Sequence, residues 1–235
     1  MKLSLIFERL TNDTLTQLSI GGIEQGAVNL PSYPQLIVLT NGALLDLYTR
    51  FALMTRELTL QLQEGVVVYN LTSDFAESNT ASSEPVKYII DGTTVHKFTD
   101  NIISIDGVYD ELGDEVPLNN LNHELSVFTP SPTELQVPYA VAENILSLIY
   151  KAAPDIISPA ILEPADVEVP IPYHFLDAIT AYVAWKLYTP ISTGETNTGN
   201  IYHSNYLAAV KLISDTGALI KEVHTNQRFS NNGWV

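Results

Sequence analysis

The apolar residues of this 235-residue chain change their spacing twice, and that change limits the folds open to it more than any other feature. Leu36, Leu39, Ala43, Leu47 and Phe51 recur at three- and four-residue steps, the interval that sets side chains on one face of an α-helix. Glu57-Leu-Thr-Leu-Gln-Leu-Gln63 then alternates apolar and polar residues, the period of a strand with one buried face. The helical interval returns at Leu176, Ile179, Val183 and Leu187, and again through Tyr202, Tyr206, Ala209, Ile213, Thr216, Ile220 and Val223. A chain of helices alone or strands alone does not fit, and an α+β class is expected.

Local signals supply the connections. Leu3, Ile6, Leu10 and Leu18 predict a first helix that Gly21-Gly22 ends, Ser32 is placed to cap the second, and Pro172 to start the third. Residues 73–85 are small, polar and acidic without any period, which predicts a mobile surface loop. Short β-like runs follow at 86–90, 102–109, 124–128, 133–137 and 145–150, separated by turns containing Gly, Pro and Asn. Asp110-Glu-Leu-Gly113-Asp reads as a hairpin connection in which Gly113 takes a positive φ, and Pro130, Pro132 and Pro138 bracket an edge strand. From Pro154 to Pro172 the chain is expected to run extended over the surface. These parts predict an antiparallel helical bundle from residues 1–55 and 170–224, a small antiparallel β domain inserted at 56–169, and a flexible tail at 225–235.

Composition narrows the functional classes. A content of 46% hydrophobic residues supplies a core, and the absence of cysteine excludes disulfides, thiol nucleophiles and Cys-based zinc or iron–sulfur sites. No stretch approaches the roughly 18 apolar residues of a membrane span, so no membrane partner is expected. The balance of 27 acidic against 11 basic side chains, a net charge of −16, has the wrong sign for holding phosphates and disfavours stable nucleic-acid binding.

The search for chemistry assigns no catalytic residue, metal or cofactor. His96, His123, His174, His203 and His224 are scattered, without the paired spacing that puts two imidazoles on one ion. His174 and Asp177 share a helix face, as a base and its orienting carboxylate would, but a helix start with a surface pair is the commoner arrangement. Asp110, Glu111, Asp114 and Glu115 offer the paired carboxylates of a hydrolase, yet turns are where solvated acids collect. Gly21-Gly22-Ile-Glu-Gln-Gly26 lacks the Lys-Ser/Thr ending that grips phosphate. Aromatic residues remain: Tyr173, Tyr182, Trp185, Tyr188, Tyr202 and Tyr206 crowd the two later helices. Tyr202 and Tyr206 lie on the apolar seam, whereas Tyr182, Trp185 and Tyr188 depart from the stripe of their helix. Those three are candidates for contact with another subunit, the alternative being a helix pair packed through its rings.

Two segments resemble the head-to-tail adaptors of short-tailed bacteriophages, also called portal adaptors, connectors or tail tubular subunits. One is Ile171-Pro-Tyr-His-Phe-Leu-Asp-Ala-Ile-Thr-Ala-Tyr-Val-Ala-Trp-Lys-Leu-Tyr188 with Gly199-Asn-Ile-Tyr-His-Ser-Asn-Tyr206, similar to the family's Tyr-Val-Ala helix and its tyrosine-rich successor. The other is Ile103-Ser-Ile-Asp-Gly-Val-Tyr-Asp-Glu-Leu-Gly-Asp-Glu-Val-Pro-Leu118, similar to the family's β hairpin leading into a proline and an Asn-rich turn. The helix ending Leu47-Tyr-Thr-Arg-Phe51 and the strand from Arg56 to Gln63 agree more loosely. The link Thr189 to Thr198 is longer and more polar than the family's, and Lys186 stands where the family has arginine.

The resemblance implies a non-enzymatic virion protein of the head–tail junction, assembled in the host cytoplasm. It implies a twelvefold ring of identical subunits that binds the portal protein, carries the tail nozzle protein and passes double-stranded DNA through its lumen. For the tail at 225–235 it implies ordering against the portal, with Arg228, Phe229 and Trp234 as the anchoring side chains. A non-catalytic carbohydrate- or protein-binding module using the β domain is the alternative, and behind it an acidic hydrolase.

Overall fold

The computed structural model describes residues 1–15, 28, 30–81, 85–92, 96–190 and 198–216. Two units emerge, one from Met1–Ala52 with Asp155–Val235 and the other from Leu53–Pro154. The first is helical and the second contains antiparallel sheets, so the chain is α+β.

In the helical unit, α1 (Leu3–Arg9) buries Leu3, Ile6 and Phe7 and passes into a π turn at Leu10–Thr14. The α-helical geometry is therefore interrupted at Leu10, and Leu18 lies outside the described residues. Leu15 N–H bonds back five residues to Leu10 O at 2.9 Å, and the wider turn brings Leu15 into the core. Gly21-Gly22 lie outside the described residues. The second helix, α2 (Tyr33–Arg50), buries Leu36, Ile37, Thr40, Ala43, Leu44, Leu47 and Tyr48. Ser32 does not cap it as expected, because it ends a 3₁₀ turn (Leu30–Ser32) in helical conformation and points no capping oxygen at the first turn.

Helix α3 (Leu176–Tyr188) follows a 3₁₀ turn at Tyr173–Phe175 that starts just after Pro172. It buries Ala178, Ile179, Thr180, Ala181, Val183, Ala184 and Leu187, far more than one stripe, because α1, α2 and α4 (Thr198–Asp215) all pack on it. At the start of α4 a Cβ on Gly199 would sit 2.9 Å from Thr189 Oγ1 and 3.0 Å from Thr189 Cα, so only glycine fits this close return of the chain.

Residues 155–169, read from sequence as the end of the β domain, belong to the helical unit. Met1 N bonds Val169 O at 2.7 Å, Leu3 N bonds Val167 O at 3.0 Å, and the Asn41 amide bonds both Ile157 O and Ile157 N, at 2.8 and 3.1 Å. Tyr48 donates to Pro170 O. Ile157, Pro164, Val169 and Ile171 are buried and pin this stretch to the helical unit, while most residues from Pro154 to Pro172 are exposed and outside regular structure, as expected of a segment that runs over the surface.

The β unit consists of β1 (Thr55–Gln61), β2 (Val68–Asn70), β3 (Ile89–Ile90), β4 (Ile102–Tyr109), β5 (Glu115–Val116), β6 (Phe128–Ser131), β7 (Glu134–Gln136) and β8 (Ile145–Ala152). Five strands pair in the order β3-β1-β8-β4-β5 and three in the order β2-β7-β6. The register sets Leu58 opposite Leu148 and Leu60 opposite Leu146, so the alternating leucines of β1 meet those of β8 on one face and bury there with Tyr69, Tyr88, Val108, Leu135 and Tyr150. The β4–β5 hairpin turns at Gly113 with φ +83°, while the Asp110 carboxylate accepts Leu112 N and Asp114 N, both at 2.9 Å.

Two expectations are corrected here. The strand between Pro132 and Pro138 is central in its sheet, and β6, which contains Pro130, is one of the two edge strands. Residues 73–81, expected to be a loose loop, are tied to the unit. Ser73 bonds Asp100 at 2.5 and 2.6 Å, Ala76 bridges Ile89, Phe75 stacks on Tyr88 at 4.6 Å, and Ser78 bonds Asp91. Hydrogen bonds that skip along the sequence leave no period to read.

Candidate functional site

The aromatic residues singled out from sequence gather where α3 meets α4. Trp185 stacks on His203 at 4.2 Å, and Tyr182 meets Trp185 and Tyr206 edge-on at 5.4 and 5.3 Å. Lys186 lies over the Trp185 ring at 3.8 Å and over Tyr182 at 5.3 Å. Tyr188 stacks on Tyr202 at 5.1 Å, and both hydroxyls donate to Thr14 O, at 3.2 and 3.1 Å. Tyr182, Trp185 and Tyr188 thus spend their ring faces on partners within the same chain, and each keeps part of its surface open. Tyr173 stands apart and is exposed.

Sequence reasoning missed the polar anchor beneath these rings. Tyr206, buried in α4, donates its hydroxyl to the Asp46 carboxylate on α2, and Arg50 bonds the same carboxylate at 2.6 Å. Burial works against the charged Asp46, but the hydrogen bonds from Arg50 and Tyr206 and the charges of Arg50 and Lys186 outweigh it and hold its pKa below the ordinary carboxylate value. Burial, then the bond to Asp46 and its negative charge, push the Tyr206 phenol up. The i,i+4 spacing of Asp46 and Arg50 was visible in the sequence; the 160-residue reach to Tyr206 was not.

The other candidates remain apart. Asp177 pairs with Arg9 at 3.4 Å, while the His174 ring packs on Phe175 at 4.7 Å. His123 Nδ1 accepts Leu125 N at 3.2 Å and shapes a turn. Asp110 builds its hairpin, and Glu111 accepts Ile145 N at 2.7 Å. His96 lines a polar recess of about 280 Å³ in the β unit with Arg56, Asp91 and Tyr150. Asp91 there is 2% exposed and accepts Ser78 N, Ser78 Oγ and Phe98 N at 2.8, 2.5 and 3.0 Å. Burial would raise its pKa, and these bonds with the charge of Lys97 instead lower it. Among the described residues no group of three or more acids and histidines is placed to hold a metal ion, and no helix is long and apolar enough to cross a membrane. His224 and the tail anchors Arg228, Phe229 and Trp234 lie outside the described residues.

Compared with models of known families and with curated protein sequences, the chain has no match.

Proposed function

We propose that this chain is a structural ring subunit of a bacteriophage head–tail junction, an adaptor that joins the portal of the head to the tail nozzle and forms part of the DNA channel. The observation that supports this reading best is local. The two sequence segments that resemble the adaptor family form ordered elements here: Ile103–Leu118 makes the β4–β5 hairpin, and Ile171–Tyr188 and Gly199–Tyr206 make α3 and the first half of α4. The two helical segments face each other through the Trp185–His203 and Tyr188–Tyr202 stacks. On this reading the helical unit is an antiparallel bundle and the β unit an insertion in its sequence.

The charge agrees with a conduit. A wall that neutralised phosphates would hold the duplex at every contact, whereas a subunit with 27 acids and 11 bases repels it and leaves it free to slide. The reading assigns no catalysis, places the chain in the virion, and gives the portal contact to residues 225–235 through Arg228, Phe229 and Trp234. The test is electron microscopy of the purified chain mixed with portal rings. Ring-shaped density added to one end of the portal is expected; particles that remain bare portals contradict the proposal.

A further inference from the structure

The β unit carries a cleft of about 310 Å³ whose walls are apolar and whose rim is acidic. Leu112, Leu125, Tyr139, Val141 and Ile145 line it, and they are 87%, 64%, 66%, 59% and 37% exposed. One exposed leucine needs no explanation, but five large apolar side chains around a single depression are the composition of an interface rather than of a solvated surface. Buried Val127 and Leu146 line it as well, so the depression reaches the core that holds the sheets together.

Asp110 and Glu111 line the same cleft, and both are fixed by backbone donors, Leu112 N and Asp114 N for the first and Ile145 N for the second. The charge around them is one-sided. Between Phe98 and Tyr150 the chain has nine Asp and Glu and neither Lys nor Arg, and this stretch supplies every lining residue except Leu62. Glu124 precedes Leu125, and Glu143 lies between Val141 and Ile145.

These facts select an occupant. Nucleic acid and anionic small molecules would meet carboxylates with no cation to hold them. A second copy of a chain with net charge −16 would bring like charge to the rim. The volume lies at the lower end for whole small-molecule ligands and suits one large side chain. We propose that this cleft docks a basic polypeptide segment of another protein, with one bulky apolar side chain seated in it and flanking Lys or Arg residues meeting Asp110 and Glu111. The walls give affinity by excluding water, and the acids give register and speed of encounter. The proposal does not depend on the ring reading.

A displayed library of random peptides, panned against the full chain, tests it. The enriched consensus should carry a large apolar residue flanked by at least two Lys or Arg. A synthetic peptide of that consensus, followed by fluorescence anisotropy, should bind about tenfold more weakly to Leu125→Ser and Tyr139→Ser, whose exposed positions leave the core intact. It should bind equally to Val38→Ser, which alters an exposed residue of α2. Raising the salt should weaken binding by a similar factor. A library with no enrichment, a consensus without basic residues, or equal binding to the Leu125→Ser and Tyr139→Ser proteins would overturn the proposal.

Discussion

The hydroxyl of Tyr88 bonds Asn70 twice, accepting from Asn70 N and donating to Asn70 O, each at 2.8 Å. Strand β2 is an edge, and at Asn70 this phenol takes the place of a missing neighbour strand. The ring itself is 5% exposed, edge-on to Tyr69 at 5.2 Å. Tyr88→Phe keeps the packing and removes both bonds, so it should cost about 1–3 kcal/mol in urea unfolding with an unchanged m value. A variant as stable as the parent would show that water satisfies Asn70 equally well.

The same phenol gives the chain an alkaline limit. Burial, the largest cause, pushes its pKa from 10.0 up to about 12, against the hydrogen bond to Asn70 that lowers it. As pH rises past 10 the unfolded chain loses this proton first, so the stability present below pH 10 is lost on the way to about pH 12. Measured as the difference between the parent and Tyr88→Phe, the loss should be on the order of 2 kcal/mol across that window. Parallel pH profiles for the two proteins would contradict it.

Ile213 lies on the seam of α4 and is 6% exposed. Ile213→Asp would bury a charge with no partner and should cost several kcal/mol, about the whole margin of a typical domain. Glu111→Gln keeps an oxygen to accept Ile145 N and should melt within a degree or two of the parent. Calorimetry on both decides whether this face is inside.

The seam was legible because Tyr206 and Ile213 repeat at helical steps, and Gly113 was legible because a hairpin of that length needs a positive φ. Ile220 and Val223, read as its continuation, lie outside the described residues. What sequence reasoning could not reach were the pairings between distant residues. Nothing local marks Tyr206 for Asp46, Tyr88 for Asn70, or the sequence around Pro132 and Pro138 for the centre of a sheet, since partner choice is set by topology and not by period. The π turn after Arg9 breaks the helical spacing where the sequence still looks periodic.

If the chain forms the proposed ring, its assembly should depend on salt. Twelve copies at −16 each bring 12 × −16 = −192 together, and that repulsion is screened only over about 8 Å at physiological ionic strength and over longer distances in dilute buffer. Sedimentation velocity on the isolated chain should show monomers at low salt, with rings favoured by added salt or by the portal. Stable rings in dilute buffer without the portal would contradict this electrostatic account.

The mass of the complex with the portal is the most direct test of the ring proposal. Native mass spectrometry of portal rings saturated with the chain should show an increment of twelve chains of 25.9 kDa, about 311 kDa. A chain lacking residues 225–235 should melt like the parent and leave the portal mass unchanged. No increment with the full chain, or an increment that is not a twelvefold multiple, would contradict the assignment as a portal adaptor.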